Sequence, residues 1–172
     1  MRPGFAMNKK GRHRETVKRA LALAEALEDG WCYTTGYVQR IAERVWGRAS
    51  STEVDTALEI LVERGVVRRV ETNHPVLFCK GDDVEGVRLL YDGREAAVTA
   101  AAVRKLLEEI VAGLKSHVFH MPSRSVTEKL GLKPSSTLNA AVAFLMSMVD
   151  GKHFAGLETR GSRDKAYFVF RK

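Results

Sequence analysis

Apolar residues first recur at helical spacing over residues 14–29, where Val17, Leu21, Ala24 and Leu27 share a face and Gly30 ends the pattern. Trp31-Cys32-Tyr33-Thr34-Thr35 is short, aromatic and β-branched, which predicts a strand. The helical period returns over residues 36–46, with Val38, Ile41, Ala42 and Val45 inward and Gly47 as the stop. Ser50-Ser51-Thr52-Glu53 has the spacing of a capping box, in which the serine hydroxyl takes the amide of the third helical residue and the glutamate reaches back. It opens a third helix running to Arg64, with Val54, Ala57, Leu58 and Leu61 inward and Gly65 after its end. Residues 66–71 and 76–80 read as two strands of a hairpin around Thr72-Asn73-His74-Pro75.

The second half repeats this order. Residues 98–114 form an amphipathic pattern, residues 117–121 a short strand closed by Pro122, and residues 123–130 a short helix ended by Gly131. Ser135 caps a helix to Val149, and residues 153–158 and 166–171 predict a last hairpin. A shift of 84 positions lays GRASSTEVDTALEIL on GLKPSSTLNAAVAFL without a gap. Only four of fifteen positions are identical, so the matched order of elements, more than the identities, argues for duplication.

Two units of helix, strand, helix, turn, helix and two-stranded wing resemble a tandem winged-helix protein. The phrase SSTEVDTALEILVERGVVRRVE carries the likeness best: a capped third helix ends in glycine and runs into a Val/Arg-rich strand. The resemblance implies an α+β, mainly α fold, each unit having three helices and a small antiparallel β-wing sheet. The expected organisation is a basic N-terminal arm at 1–13, a first unit at 14–81, a connector at 82–95 with a turn at Tyr91-Asp92-Gly93, and a second unit at 96–172. It also implies a default role, in which the third helix enters the DNA major groove and the wing touches the backbone. Tandem winged helices serve equally as protein-interaction modules, so the surfaces have to be judged separately.

Charge separates them. The chain of 172 residues has a net charge of +7, but the excess is uneven. Residues 1–19 carry seven basic side chains against Glu15 alone, and residues 115–172 carry ten basic against four acidic. The intervening residues are acidic on balance. A polyanion is drawn to the two basic regions, and nucleic acid is the commonest one.

The third helix of the first unit presents Glu53, Asp55, Glu59 and Glu63, which phosphates would repel. That unit is expected to serve dimerisation or a protein partner. Arg40, Arg44 and Arg48 on its second helix face either phosphate or neighbouring acids. In the second unit the same positions become Thr137, Asn139, Ala143 and Ser147. Ser135, Ser136, Thr137 and Asn139 lead a small neutral face suited to phosphate and base edges, with Lys129 and Lys133 just before it. Arg160, Arg163 and Lys165 mark the wing. Lys9, Lys10, Arg12 and Arg14 of the arm are expected to add phosphate or minor-groove contacts. The apolar excess of this helix (Phe144, Met146, Met148, Val149) is assigned to packing on the first unit or on a second copy.

The leading expectation is therefore a double-stranded DNA-binding protein, a transcription regulator or accessory factor, with a homodimer or protein partner formed through the first unit. The rivals are a protein-interaction module and an RNA- or ribosome-associated protein. No catalytic constellation, metal motif or cofactor loop is expected. Cys32 and Cys79 lie on strands that pair in this fold, and either a disulfide or two buried thiols fits. His117, His120 and His153 read as surface residues, and Trp31, Tyr33 and Trp46 as core aromatics. With no apolar run of membrane-spanning length and no leader-like cleavage site, a cytoplasmic location is expected.

Overall fold

A computed structural model describes residues 9–72, 75–160 and 165–172, with Lys9 and Lys10 by backbone alone. Among these residues the chain is α+β, with six helices and two sheets of five and three strands. The elements run α1 (Lys9–Ala26), β1 (Trp31–Thr34), α2 (Thr35–Trp46), α3 (Ser51–Glu63), β2 (Arg68–Glu71) and β3 (Val76–Lys80). A hairpin follows, β4 (Gly86–Tyr91) and β5 (Arg94–Thr99). The last stretch holds α4 (Ala100–Ala112), β6 (Val118–Pro122), α5 (Ser123–Lys129), α6 (Ser136–Val149), β7 (Phe154–Arg160) and β8 (Lys165–Arg171). The order α-β-α-α-β-β thus occurs twice. In both halves the third strand lies between the other two, β2-β3-β1 and β7-β8-β6.

The expected capping box forms. Ser50 Oγ accepts from the Glu53 amide at 3.1 Å, and Glu53 Oε1 accepts from the Ser50 amide at 3.0 Å. Ser135 likewise accepts from the Leu138 amide at 3.1 Å. The four buried residues of α3, Val54, Ala57, Leu58 and Leu61, fall on Leu138, Ala141, Val142 and Leu145 at the shift of 84, all fully or almost fully buried. The caps themselves, Ser50 and Ser135, are 85 apart, so the second helix reaches its first core residue one position sooner.

Three expectations need correction. Residues 82–95 are no simple connector: β4 pairs parallel to β1 and β5 pairs antiparallel to β4, widening the first sheet to five strands. Asp92 and Gly93 both have positive φ, 53° and 72°, the twist a two-residue hairpin turn requires. At Gly86 any Cβ would stand 2.5 Å from the Val98 carbonyl oxygen and 2.7 Å from the Trp31 ring, so the close approach of β4 depends on glycine. The basic arm does not extend to residue 13, because α1 already begins at Lys9. Finally, α1 buries Ala20, Leu23, Ala24 and Leu27 and leaves Leu21 41% exposed; on α2, Val45 is outward and Tyr37 inward. The run ALALAEAL is apolar on several faces, so its period alone does not choose between them.

The five-stranded sheet is covered on both sides. Tyr33 and Phe78 face a core with α1, α2 and α3. Cys32, Leu77, Cys79, Val87, Leu89 and Val98 face a second core shared with α4, α5, α6, Phe154, Phe168 and Phe170. Alternation along the strands separates the two. Cys32 and Cys79 lie directly opposite in the β1–β3 register and form a buried disulfide. The two halves are therefore fused across one sheet face, where residues 138–143, 145 and 146 of α6 are buried. Of the apolar excess, Met146 is buried there and Phe144 and Val149 pack against it, whereas Met148 stays 42% exposed.

Candidate nucleic-acid interface

Gly131, at φ 76°, ends α5, and Pro134 and Ser135 turn the chain into α6. This turn is fixed from the other half of the molecule. The Tyr91 hydroxyl, at the end of β4, accepts from the Lys133 amide and donates to the Lys133 carbonyl, each at 2.6 Å. Lys133 itself is exposed. Beyond the turn, the first residues of α6 and the β7–β8 wing enclose a groove of about 850 Å3. Its polar lining is Ser123, Arg124, Ser135, Ser136, Asn139, Thr159, Lys165 and Tyr167, and its apolar lining is Pro122, Pro134, Ala140, Leu157 and Ala166. Among the described residues no carboxylate lines it.

The first unit has a corresponding groove, about 500 Å3, between α3 and the β2–β3 hairpin. Its lining includes Asp55, Glu59 and Glu63, with Arg69 as the only cation among the described residues there. These acids are exposed. Glu53 is spoken for: Arg19 Nη1 lies 2.7 Å from its Oε2 and holds its carboxyl at about 2, with the Ser50 amide helping. The same architecture thus makes a negative groove in one unit and a positive one in the other, by the choice of side chains alone.

The expected contact residues separate into groups. Ser135, Ser136, Asn139 and Lys165 come together at the second groove. Ser135 is committed to capping, Ser136 is exposed and Thr137 is half-buried. Asn139 is only 6% exposed, so it cannot project into a duplex groove as the sequence suggested; its Oδ1 has no hydrogen-bond partner. Arg160 stays near the groove but pairs with Glu158 at 2.9 Å and lies over the Tyr167 ring, 5.5 Å from its centroid. Lys129 is elsewhere, lining an apolar pocket of about 340 Å3 with Ile110, Leu114 and Phe119. Arg163 and the side chains of Lys9 and Lys10 lie outside the described residues. Arg12 and Arg14 are exposed on α1, whose later turns pack on the opposite face of the sheet from α6.

Sequence reasoning missed Arg124, Ser123 and Tyr167. Arg124 sits in the first turn of α5, two residues after Pro122, where only its return to the groove wall gives it importance. On α2, Arg44 pairs with Glu95 at 2.7 Å and Arg40 donates to the Gly93 carbonyl at 3.1 Å, so both tie the helix to the β4–β5 hairpin. Of the expected core aromatics only Tyr33 is fully buried; Trp31 and Trp46 are half-buried beneath Arg88 and Arg19, each guanidinium 4.3 Å from the ring centre. His120 lies 3.5 Å from Glu158, and His153 Nδ1 lies 3.1 Å from the Arg171 carbonyl oxygen. Among the described residues no helix is long and apolar enough to cross a membrane.

No protein-family model and no curated protein matches the chain. Among solved structures it has a distant likeness to the crystal structure of hypothetical protein PyrSV_gp04 from Pyrobaculum spherical virus. The two share 16% identity and a TM-score of 0.45, over 92% of this chain and 95% of that one.

Proposed function

We propose that this protein is a double-stranded DNA-binding factor built from two winged-helix units, and that DNA lies on the second unit. The observation that carries this reading is the contrast between the two grooves. Among the described residues one is lined by Arg124 and Lys165 with no acid, and the other by three acids and a single arginine. Ser136, in the first turn of α6, lines the same groove as the two cations, and helix N-termini favour anions. Phosphates are the natural occupants. Because the flank of α6 is buried, the mode of docking is an end-on approach of its first turn with the wing alongside, so backbone contacts outweigh base readout.

Salt-dependent anisotropy with a labelled duplex tests it. Each phosphate contact contributes about −0.9 to the log–log salt slope. Charge reversal at Arg124→Glu and Lys165→Glu is expected to weaken binding at low salt and to flatten the slope by roughly 1.8. An unchanged slope removes DNA from this groove. An RNA duplex in parallel distinguishes a ribosome- or RNA-associated protein, since A-form helices present a different groove to the same charges.

A separate observation favours a protein contact through the first unit. Asp55, Glu59 and Glu63 remain exposed on α3 beside a groove whose walls include Leu58, Val62 and Phe78. A basic segment, from a partner or a second copy, complements that surface, whereas DNA does not.

A further inference from the structure

We propose that the outer edge of β6 takes up an extended peptide of a partner protein as a further strand, with a carboxylate of that peptide held by Lys115 and Lys129. This surface is separate from both grooves described above, and the proposal does not rest on the DNA reading. The repeat within the chain carries it. The strand after the first helix is β1 in one half and β6 in the other, and each pairs antiparallel with the last strand of its hairpin. On its other side β1 pairs with β4, whereas β6 ends its sheet with no further strand among the described residues. Val118 and Phe119 of β6 are 54% and 39% exposed. Lys172 donates its amide to the His117 carbonyl at 3.0 Å, and successive residues of a strand turn their backbone groups to opposite sides. Val118 and His120 therefore direct theirs away from β8, the side that on β1 receives β4. Such an edge is a template for strand addition.

The first half shows what the added strand must bring. There β4 runs parallel to β1, and its Arg88 lies over the Trp31 ring. The same guanidinium stands 3.0 Å from Glu28, in the loop before β1. Helix α2 then grips the β4–β5 hairpin with two more cations, Arg44 on Glu95 and Arg40 on the Gly93 carbonyl. In the second half the same places hold different chemistry. Phe119 stands on β6 where Trp31 stands on β1, at the same distance from the helix that follows. The loop before β6 offers Lys115 in place of an acid, and α5 offers Lys129. With Phe119, Met121, Ile110 and Leu114 these two lysines line an open pocket of about 340 Å3 against β6, where Glu109 is the one acid among the described lining residues. A strand laid along β6 as β4 lies along β1 covers this pocket. Its inward side chains meet apolar walls and two ammonium groups, so the arginine that suits the first half gives way to a carboxylate over Phe119. An apolar residue follows two positions on, and polar residues alternate with these, because the opposite face of β6, at Val118, is open to solvent.

The test titrates the isotope-labelled full chain with an end-blocked peptide, Gly-Thr-Glu-Thr-Leu-Thr, and with the same peptide carrying lysine for glutamate. Amide shifts and hydrogen exchange are followed along β6. The glutamate peptide is expected to bind about tenfold more tightly than the lysine peptide and to slow exchange at the Val118 and His120 amides. In Lys115→Glu with Lys129→Glu, both exposed positions, the preference is expected to reverse. Val118→Pro deletes an outward donor without touching the β8 ladder and should weaken binding roughly fivefold, the scale of one hydrogen bond. The charge reversal carries the test even where that variant melts early. Equal binding of the two peptides, or a preference unmoved by the charge reversal, overturns the proposal. Binding that shifts Phe119 and Lys129 but leaves exchange at Val118 and His120 unchanged means side-chain capture without strand addition, and overturns it too. A chain that sediments as a dimer, with those two amides protected before peptide is added, assigns the edge to a second copy instead. Failure of both peptides to bind at millimolar concentration removes the site altogether.

Discussion

Single side chains decide the sign of each groove, and on the same helix as the acids of the first groove Glu53 records its own environment in its acidity. Glu53 performs three tasks at once: it caps α3 through the Ser50 amide, accepts from Arg19, and so ties α3 to α1. Arg19 in turn lies over Trp46, whose indole donates to the Arg19 carbonyl at 3.0 Å. The Arg19 hydrogen bond first, and the Ser50 amide second, hold the Glu53 carboxyl at about 2, below its ordinary 4.5. A carboxylate whose acidity is stronger in the folded chain stabilises the fold above its unfolded pKa and loses that contribution as pH falls. The melting temperature should therefore decline between pH 4.5 and about 2, and Glu53→Gln should be less stable than the wild type at neutral pH but converge on it at the acid end. Parallel curves for the two proteins across that range would show that the Arg19–Glu53 contact does not contribute.

Elements were legible where the period was clean. The capping box at Ser50, the glycine stops and the alternation of the wings place most boundaries of α2, α3 and β3 within a residue. The β4–β5 hairpin was not legible. Gly86-Val87-Arg88-Leu89-Leu90-Tyr91 does not alternate cleanly, because one side of the strand meets α6 while the other leans on α2, and only the Asp92-Gly93 turn announced itself. Asn139 was misread for a related reason. Sequence marks a polar residue as outward, but α6 is enclosed on two sides, and nothing local to α6 reveals that β4 will cover it. The same hairpin positions the candidate site through Tyr91. Tyr91→Phe deletes two hydrogen bonds that water can partly replace, so stability should fall by about 1 kcal/mol in a denaturant titration. Duplex affinity should fall several-fold with it, as the turn into α6 loosens. A stability loss with full affinity would mean that the clamp holds the two halves together without aligning the groove.

The whole molecule places α1 and α6 in different layers. The later turns of α1 pack in the core on one face of the five-stranded sheet, and α6 packs in the core on the other. Sequence suggested an arm able to reach whatever DNA the second unit holds, but from Lys9 onward that segment is a helix anchored against α2 and α3. A duplex of about one helical turn, roughly 11 base pairs, seated between α6 and the wing should then leave α1 uncovered. For such a duplex Arg12→Gln with Arg14→Gln should leave the salt slope unchanged, in contrast to the fall of roughly 1.8 expected for the groove variants. On longer DNA the same pair should matter, because a second duplex, or the bent continuation of the first, can then meet α1. If the short duplex already loses slope in the α1 variant, both basic regions hold one segment, and DNA must cross the edge of the sheet instead of resting on the wing alone.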